Sequence, residues 1–284
     1  MELNVTEYAL RRMEDAPFLR ELCDCAANMY RLGWNERNGG NISLLLSADE
    51  TREYLTGLAP SARFPLVFDC SALAGRCFLI TGTGQYFKNI PNQPETSLGI
   101  VRIARGGREL ELLWGFADGG RPTSEFPTHL MNHIMRLKKD PAHRIVMHCH
   151  PTNLIAMTCV HELSDRAMTQ TLWKMCSECV VVFPDGVAVL PWMLCGTEEI
   201  GRATAECMMR CRAVVWAHHG IVAAGKSFDE AFGLIETIEK AAELYLKTAA
   251  LPNRKTMTMQ QVAQLAEAFH VKEQCVFLPE EERQ

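Results

Sequence analysis

The 284-residue chain lacks most of the features that would identify its chemistry at a glance. It has no uninterrupted apolar run of about 18 residues, which argues against a transmembrane helix. Its 29 Lys and Arg are outnumbered by 34 Asp and Glu, giving a net charge of −5, and the cations never gather into a basic stretch. Nucleic acid and anionic membrane are therefore not expected as partners. The first thirty residues carry charges throughout and lack the apolar core of a signal peptide. No G-x-x-x-x-G-K-[ST] occurs, and no G-x-G-x-x-G opens a helix, so the two common nucleotide-binding loops are excluded. Linkers rich in Pro, Gly and Ser, low-complexity tracts and internal repeats are also missing, so the expectation is one domain over residues 1–284.

Cysteine is abundant, at twelve residues, but a disulfide framework is not indicated. The chain is long, no secretory signal is evident, and Cys77, Cys149, Cys159 and Cys195 lie within apolar segments. They read as small core residues of a reduced, cytoplasmic protein. Cys176 and Cys179 have C-x-x-C spacing, but a zinc ribbon needs a second such pair, so they too read as structural.

Hydrophobic spacing predicts a helix through Leu19, Leu22, Cys23, Ala26, Met29 and Tyr30 with a stop at Gly33. Strands are expected at 42–46, 77–81, 98–103, 109–113 and 213–217, with 180–183 also extended. Helices are expected at 125–137, 165–175 and 198–211. Two more start on capping-box patterns at Ser227 and Thr258, the first running to about Leu251. Strands and helices interleave, so the fold class is α/β, with a mixed sheet flanked by helices.

The densest chemistry is in VMHCHPTNLIAM, residues 146–157. An apolar run from Arg144 reads as a buried strand, and side chains two apart on a strand share a face, roughly 6–7 Å apart. His148 and His150 can therefore close on one metal ion. A catalytic zinc takes three protein ligands and keeps one open position. The strand that ends in His218-His219-Gly220 offers a third imidazole, but the two point to opposite faces and periodicity does not choose between them. Glu125, His129 and His133 lie at i, i+4 and i+8 on one helical face, which suits a second metal face or a hydrogen-bonded or solvated one. Thr123 or Ser124 would cap that helix, placing Glu125 in its first turn, where the dipole favours anions. Two glycine turns, Asn38-Gly39-Gly40-Asn41 and Thr81-Gly82-Thr83-Gly84, combine backbone freedom with short polar side chains. With Thr123 and Ser124 they suggest a phosphate cradle without a lysine.

Taken together, GWNERNGGNIS, FLITGTGQYFKN, PTSE, RIVMHCHPTNLIAMT, ECVVVFPDGVAVLPWM, GTEEIG, HHGIVAAG and FGLIETIEKAAE resemble the class II aldolase family, which includes fuculose-phosphate aldolase, ribulose-phosphate 4-epimerase and the adducin head domain. The resemblance runs over nearly the whole chain; residues 47–76 match it poorly, which implies variable loops there. It implies a mixed, mainly antiparallel sheet between helical layers, assembled as a homotetramer with sites near subunit contacts. It implies one Zn²⁺ per subunit on His148, His150 and His219, the second of the adjacent pair. Glu125 matches the catalytic acid/base. Asn38, Asn41, Thr83, Gly84, Thr123 and Ser124 match the cradle for a sugar phosphate, and Glu178 matches an acid acting at the aldehyde end, expected to precede a strand and to reach a neighbour's site. TGTG stands where TGSG is expected, which keeps the hydroxyl. The expected reaction is reversible aldol cleavage of L-rhamnulose 1-phosphate to dihydroxyacetone phosphate and L-lactaldehyde. The alternatives are a related aldolase, epimerase or dehydratase, or a non-catalytic assembly protein like the adducin head.

Overall fold

A computed structural model describes residues 12–283. Its strands are β1 Asn41–Leu45, β2 Ala62–Pro65, β3 Cys77–Thr81, β4 Leu98–Ile103, β5 Glu109–Gly115, β6 Ile145–Cys149, β7 Val187–Leu190, β8 Ala213–Trp216 and β9 Gly220–Gly225. They form one sheet in the order β2-β5-β4-β3-β1-β6-β9-β8-β7. Only β7 with β8 pairs parallel; the other neighbours are antiparallel. The expected mixed, mainly antiparallel sheet is what the chain builds.

The helices are α1 Pro17–Arg31, α2 Ala48–Leu55, α3 Pro94–Ser97, α4 Phe126–Lys139, α5 Thr152–Val160, α6 Asp165–Met175, α7 Ser177–Val182, α8 Glu198–Cys207, α9 Phe228–Thr248, α10 Met259–Ala268 and α11 Glu280–Arg283. Strand parity decides what each face meets. Ile42 and Leu44 of β1, with Ile145, Met147 and Cys149 of β6, join the large core beneath α1, α5, α6 and α9. The alternate residues face the other way. There Leu45 and Phe78 pack with Phe126 and Leu130 of α4, and Val146 and Val222 pack with Ile200 of α8. Asn41, Ser43 and His148 share this second face, so the polar chemistry lies between the middle of the sheet and α4.

Several expectations need correction. Residues 180–183 are not extended: Ser177 to Val182 form α7, so Glu178 sits on a helix and does not precede a strand. The β-branched run suggested a strand, but Cys179 and Val180 are fully buried in the core shared with α6 and α9, and this packing overrides local propensity. The helix expected to reach residue 211 ends at Cys207, and the long helix ends at Thr248 rather than Leu251. Seven strands and helices went unread: α2, with its complete Ser47/Glu50 capping box, β2, α3, α5, β7, β9 and α11. At Thr258 the predicted capping box is complete. At Ser227 only half of it forms, because the Glu230 carboxylate accepts from the Lys226 N–H instead. All twelve cysteines are free, but Cys159 and Cys195 are exposed rather than core residues.

Candidate metal centre and active site

His148 is the last inward residue of β6, paired with Asn41 of β1 and Val222 of β9. His150 follows the strand end, and Pro151 then starts α5. His219 lies in the tight turn between β8 and β9, where its N–H donates to the Trp216 carbonyl. The turn needs a left-handed residue, and His218 takes it at φ 61°. His218 consequently turns towards α5, its N–H donating to Thr158 and its ring beside the Cys159 thiol. His219 turns inward, and the three ring centroids of His148, His150 and His219 stand 4.9–5.1 Å apart. One ring nitrogen from each falls within 4.8 Å of the other two.

Hydrogen bonding on the far side of two rings aims their lone pairs inward. His148 Nδ1 donates to the Ile221 carbonyl at 2.9 Å, and His150 Nδ1 faces the Glu36 carboxylate at 3.2 Å. Each outer nitrogen thus holds the proton, which leaves Nε2 as a bare acceptor. The two Nε2 atoms face each other at 3.3 Å. Two lone pairs in that position repel unless a cation lies between them. Nitrogens bound to one tetrahedral Zn²⁺ at about 2.0–2.1 Å are about 3.3–3.4 Å apart, so the spacing fits a metal. Burial, reinforced by the neighbouring imidazoles, pushes the His148 and His219 pKa values down, which keeps both in the neutral, ligating form.

Backbone clearance explains the glycines beside His150. A Cβ on Gly39 would lie 2.8 Å from His150 Cε1, and one on Gly40 would lie 1.8 Å from Asn35 Nδ2. Gly40 also needs φ 75°, so the turn can approach the ring only with glycine there. The other turns converge on the same place. Gly82 bridges Pro122, Thr83 N–H donates to the Arg121 carbonyl, and Thr81 Oγ1 accepts from the Ile42 N–H. Of the six expected cradle residues, Asn38, Thr83, Gly84 and Ser124 are exposed and Thr123 is half-buried.

Glu125 does not fall inside the first turn of α4. It is the N-cap residue itself, and Thr123 Oγ1 accepts from its N–H at 3.4 Å. This keeps its carboxylate at the open helix end, 3.7 Å from His148 Nε2 and only 13% exposed. The sixth cradle residue, Asn41, is buried and fully occupied: Nδ2 donates to Glu125 Oε2 at 2.8 Å, and Oδ1 bonds the ring of His129. His129 and His133 form the hydrogen-bonded face, both bonding Ser43, and take no part in the metal cluster. Glu178 is exposed on α7, where its carboxylate accepts from the Cys176 thiol; its own chain does not bring it to the histidines.

Five contributors escaped the sequence reading. Glu36 anchors His150. The Cys195 thiol lies within 4.8 Å of both the Glu125 carboxylate and a His219 ring nitrogen. Ser43 and His143 extend the polar contacts behind Glu125. The buried Glu239 of α9 accepts from the Asn153 and Leu154 N–H groups at 2.9 and 2.8 Å, capping the start of α5 immediately after His150. Only Glu36 gave a signal, by standing inside the glycine turn; the others come from segments far away in sequence.

The model of the class II aldolase and adducin N-terminal domain matches residues 20–246. The chain belongs to this family. Among class II aldolases it is 51% identical to the rhamnulose-1-phosphate aldolase of Listeria monocytogenes over 265 residues, covering 93% of this chain and 97% of the relative. It is 50% identical to the enzyme of that name from Enterococcus faecalis, covering 93% and 95%. Among solved structures, the sugar-phosphate aldolase of Thermotoga maritima superposes with a TM-score of 0.73 at 31% identity, over 84% of this chain and 97% of that one. An L-fuculose 1-phosphate aldolase shares the fold, with a TM-score of 0.60 at 19% identity, over 92% and 98%. Among the described residues, no helix is long and apolar enough to cross a membrane.

Proposed function

We propose that this chain is a zinc-dependent rhamnulose-1-phosphate aldolase, cleaving the ketose phosphate reversibly to dihydroxyacetone phosphate and L-lactaldehyde. The observation that carries the reading is the pair of inward Nε2 lone pairs beside a carboxylate, at the mouth of three polar turns. Zn²⁺ held by His148, His150 and His219 would supply a Lewis acid that polarises the ketose carbonyl.

The chain's own residues account for the rest. The phosphate is taken by the exposed turns through Asn38, Thr83, Gly84, Thr123 and Ser124, with the free N–H groups at the start of α4 adding partial positive charge. Breaking the carbon–carbon bond leaves its electron pair on the ketose-derived carbon, and the hydroxyl proton of the departing carbon goes to a base. Glu125 Oε1, the oxygen Asn41 leaves free, delivers a proton to that carbon and recovers it in the aldol direction. Its closeness to the imidazoles puts it beside the carbon next to the ketose carbonyl, where this exchange takes place.

Glu178 is the candidate for the aldehyde end, reached from a neighbouring subunit of a homotetramer. Trp192 and Leu194, 65% and 62% exposed, lie just before Cys195, and apolar surface of this kind suits a subunit contact. One domain over residues 1–284 and a cytoplasmic setting complete the reading.

The test is a coupled assay for dihydroxyacetone phosphate release from a panel of ketose 1-phosphates. Release from L-rhamnulose 1-phosphate, lost on chelation and restored by zinc, is the expected result. Faster release from another ketose phosphate would move the chain to a sister aldolase. No release from any of them, with no bound zinc, would favour an assembly protein.

A further inference from the structure

Behind Glu125 the structure holds a buried row of polar side chains to which no role has been given. Glu125, His129 and His133 line one face of α4, while Asn41 and Ser43 line the facing side of β1. Four helical residues advance about 6.0 Å, and two strand residues advance about 6.6–6.8 Å. The repeats nearly match, so each strand side chain drops between two from the helix. The contacts then run in order. Asn41 Nδ2 reaches Glu125 Oε2 at 2.8 Å, and His129 Nε2 meets Asn41 Oδ1. Ser43 Oγ meets His129 Nδ1 at 2.7 Å and His133 Nε2 at 2.8 Å. His143 Nε2 meets His133 Nδ1 at 2.9 Å. Asn41, Ser43, His129, His133 and His143 are all at most 5% exposed.

Counting protons fixes the direction of every link. An ionised carboxylate only accepts, so the Asn41 amide turns its nitrogen to Glu125 and its oxygen to His129. His129 must then donate from Nε2. A neutral imidazole has one N–H, so His129 Nδ1 accepts from the Ser43 hydroxyl. That hydroxyl has one proton, so Ser43 Oγ accepts from His133 Nε2. His133 Nδ1 in turn accepts from His143 Nε2. Burial holds His129 and His143 to pKa values of about 3 and pushes His133 well down, so all three stay neutral in the working range.

We infer that His143, His133, Ser43, His129 and Asn41 form a one-directional hydrogen-bond chain, with every donor pointing towards Glu125, that fixes the orientation of this carboxylate for proton transfer. The inference rests on the acid/base reading of Glu125. The five residues are positioning residues, since only Glu125 meets substrate. Hydrogen bonds in series polarise one another, so the terminal Asn41 N–H is a stronger and better-aimed donor than an isolated amide. The amide of Asn41 passes no proton along, so the chain orients Glu125 and does not shuttle protons to it.

Two measurements on the zinc-loaded enzyme test this. The first is the ¹⁵N spectrum of the histidine rings, assigned with single His→Gln variants. The expected result is Nε2–H on His129, His133 and His143 at neutral pH. Nδ1–H on any of them, or an imidazolium, would reverse or break the chain and overturn the inference, and this readout needs no variant that must stay active. The second compares His143→Gln, which keeps a donor for His133 Nδ1, with His143→Leu, which removes it, and adds Ser43→Ala. Ser43→Ala and His143→Leu are expected to slow exchange of the dihydroxyacetone phosphate α-proton roughly 3–10-fold, with zinc content and KM unchanged, while His143→Gln restores most of the rate. Unchanged exchange in Ser43→Ala, alongside slow exchange in Glu125→Gln, would overturn the positioning role and leave Glu125 standing. Unchanged exchange in Glu125→Gln would remove the acid/base reading and the chain's purpose with it.

Discussion

Six histidines occupy the two sides of Glu125, and the two groups put the same side chain to opposite uses. In the cluster of His148, His150 and His219, outer partners take up the Nδ1 protons of the first two rings and leave bare nitrogens facing each other. In the row of His129, His133 and His143, each N–H meets a lone pair on the next group and no two acceptors oppose. In both groups burial pushes pKa values down: those of His148 and His219 in the first, and those of all three rings in the second. Burial and spacing therefore do not tell a ligand from a structural histidine. The destination of the second lone pair does, and that is set by neighbours such as the Ile221 carbonyl or the Ser43 hydroxyl.

The sharpest way to break this contrast is to remove ligands one at a time. His148→Ala, His150→Ala and His219→Ala should each take bound zinc from about one per chain to a small fraction and reduce activity by about 10³-fold or more, while His218→Ala keeps both. Metal analysis after dialysis checks this, and zinc retained by His219→Ala but lost from His218→Ala would reverse the assignment. Next in size is Glu125→Gln, expected to keep zinc and fold while slowing α-proton exchange by roughly 10²–10⁴-fold. Loss of zinc in that variant would make Glu125 a ligand instead. Glu36→Gln should weaken zinc binding by roughly 10–100-fold through His150, with activity recovered at high zinc; a chelator competition that matches the unaltered protein would deny Glu36 that role.

The smallest effect is the acid sensitivity of the row behind Glu125. His129 and His143 are held near 3 in the folded chain, below the unfolded value of about 6.5. Below that value the unfolded state binds the protons, so stability is lost as pH falls from about 6.5 towards 3. Between pH 7.5 and 5.5 each such histidine should cost about 1.4 kcal/mol. Urea unfolding of metal-free protein at the two pH values should show this, with a smaller difference in His129→Gln. An unchanged difference would mean that His129 already carries its proton when folded.

How much of this could be read from sequence depended on range. His148 and His150 are two apart on one strand, so their partnership was visible. His219 against His218 was decided by a turn conformation that alternation alone does not reveal. The Glu125, His129, His133 face was visible as a face. Its use was not, because Asn41 and Ser43 lie more than 80 positions away and come into register only through β1 pairing with β6. The run Val180-Val181-Val182 misled because helix formation there follows from what α6 and α9 bury, not from the run itself. Ser47 and Glu50 were legible as a cap, but they were lost among segments taken for variable loops.

The clamp of Glu239 on the start of α5 bears on the order in which the protein is made. His150 leaves the ribosome some ninety residues before the carboxylate that holds the following helix in place. His219 and most of α9 also come late. A nascent chain can therefore pair β1, β3 and β6 while its metal site is still open at one side. Capture of a metal ion at the proposed site would then follow synthesis of both His219 and Glu239.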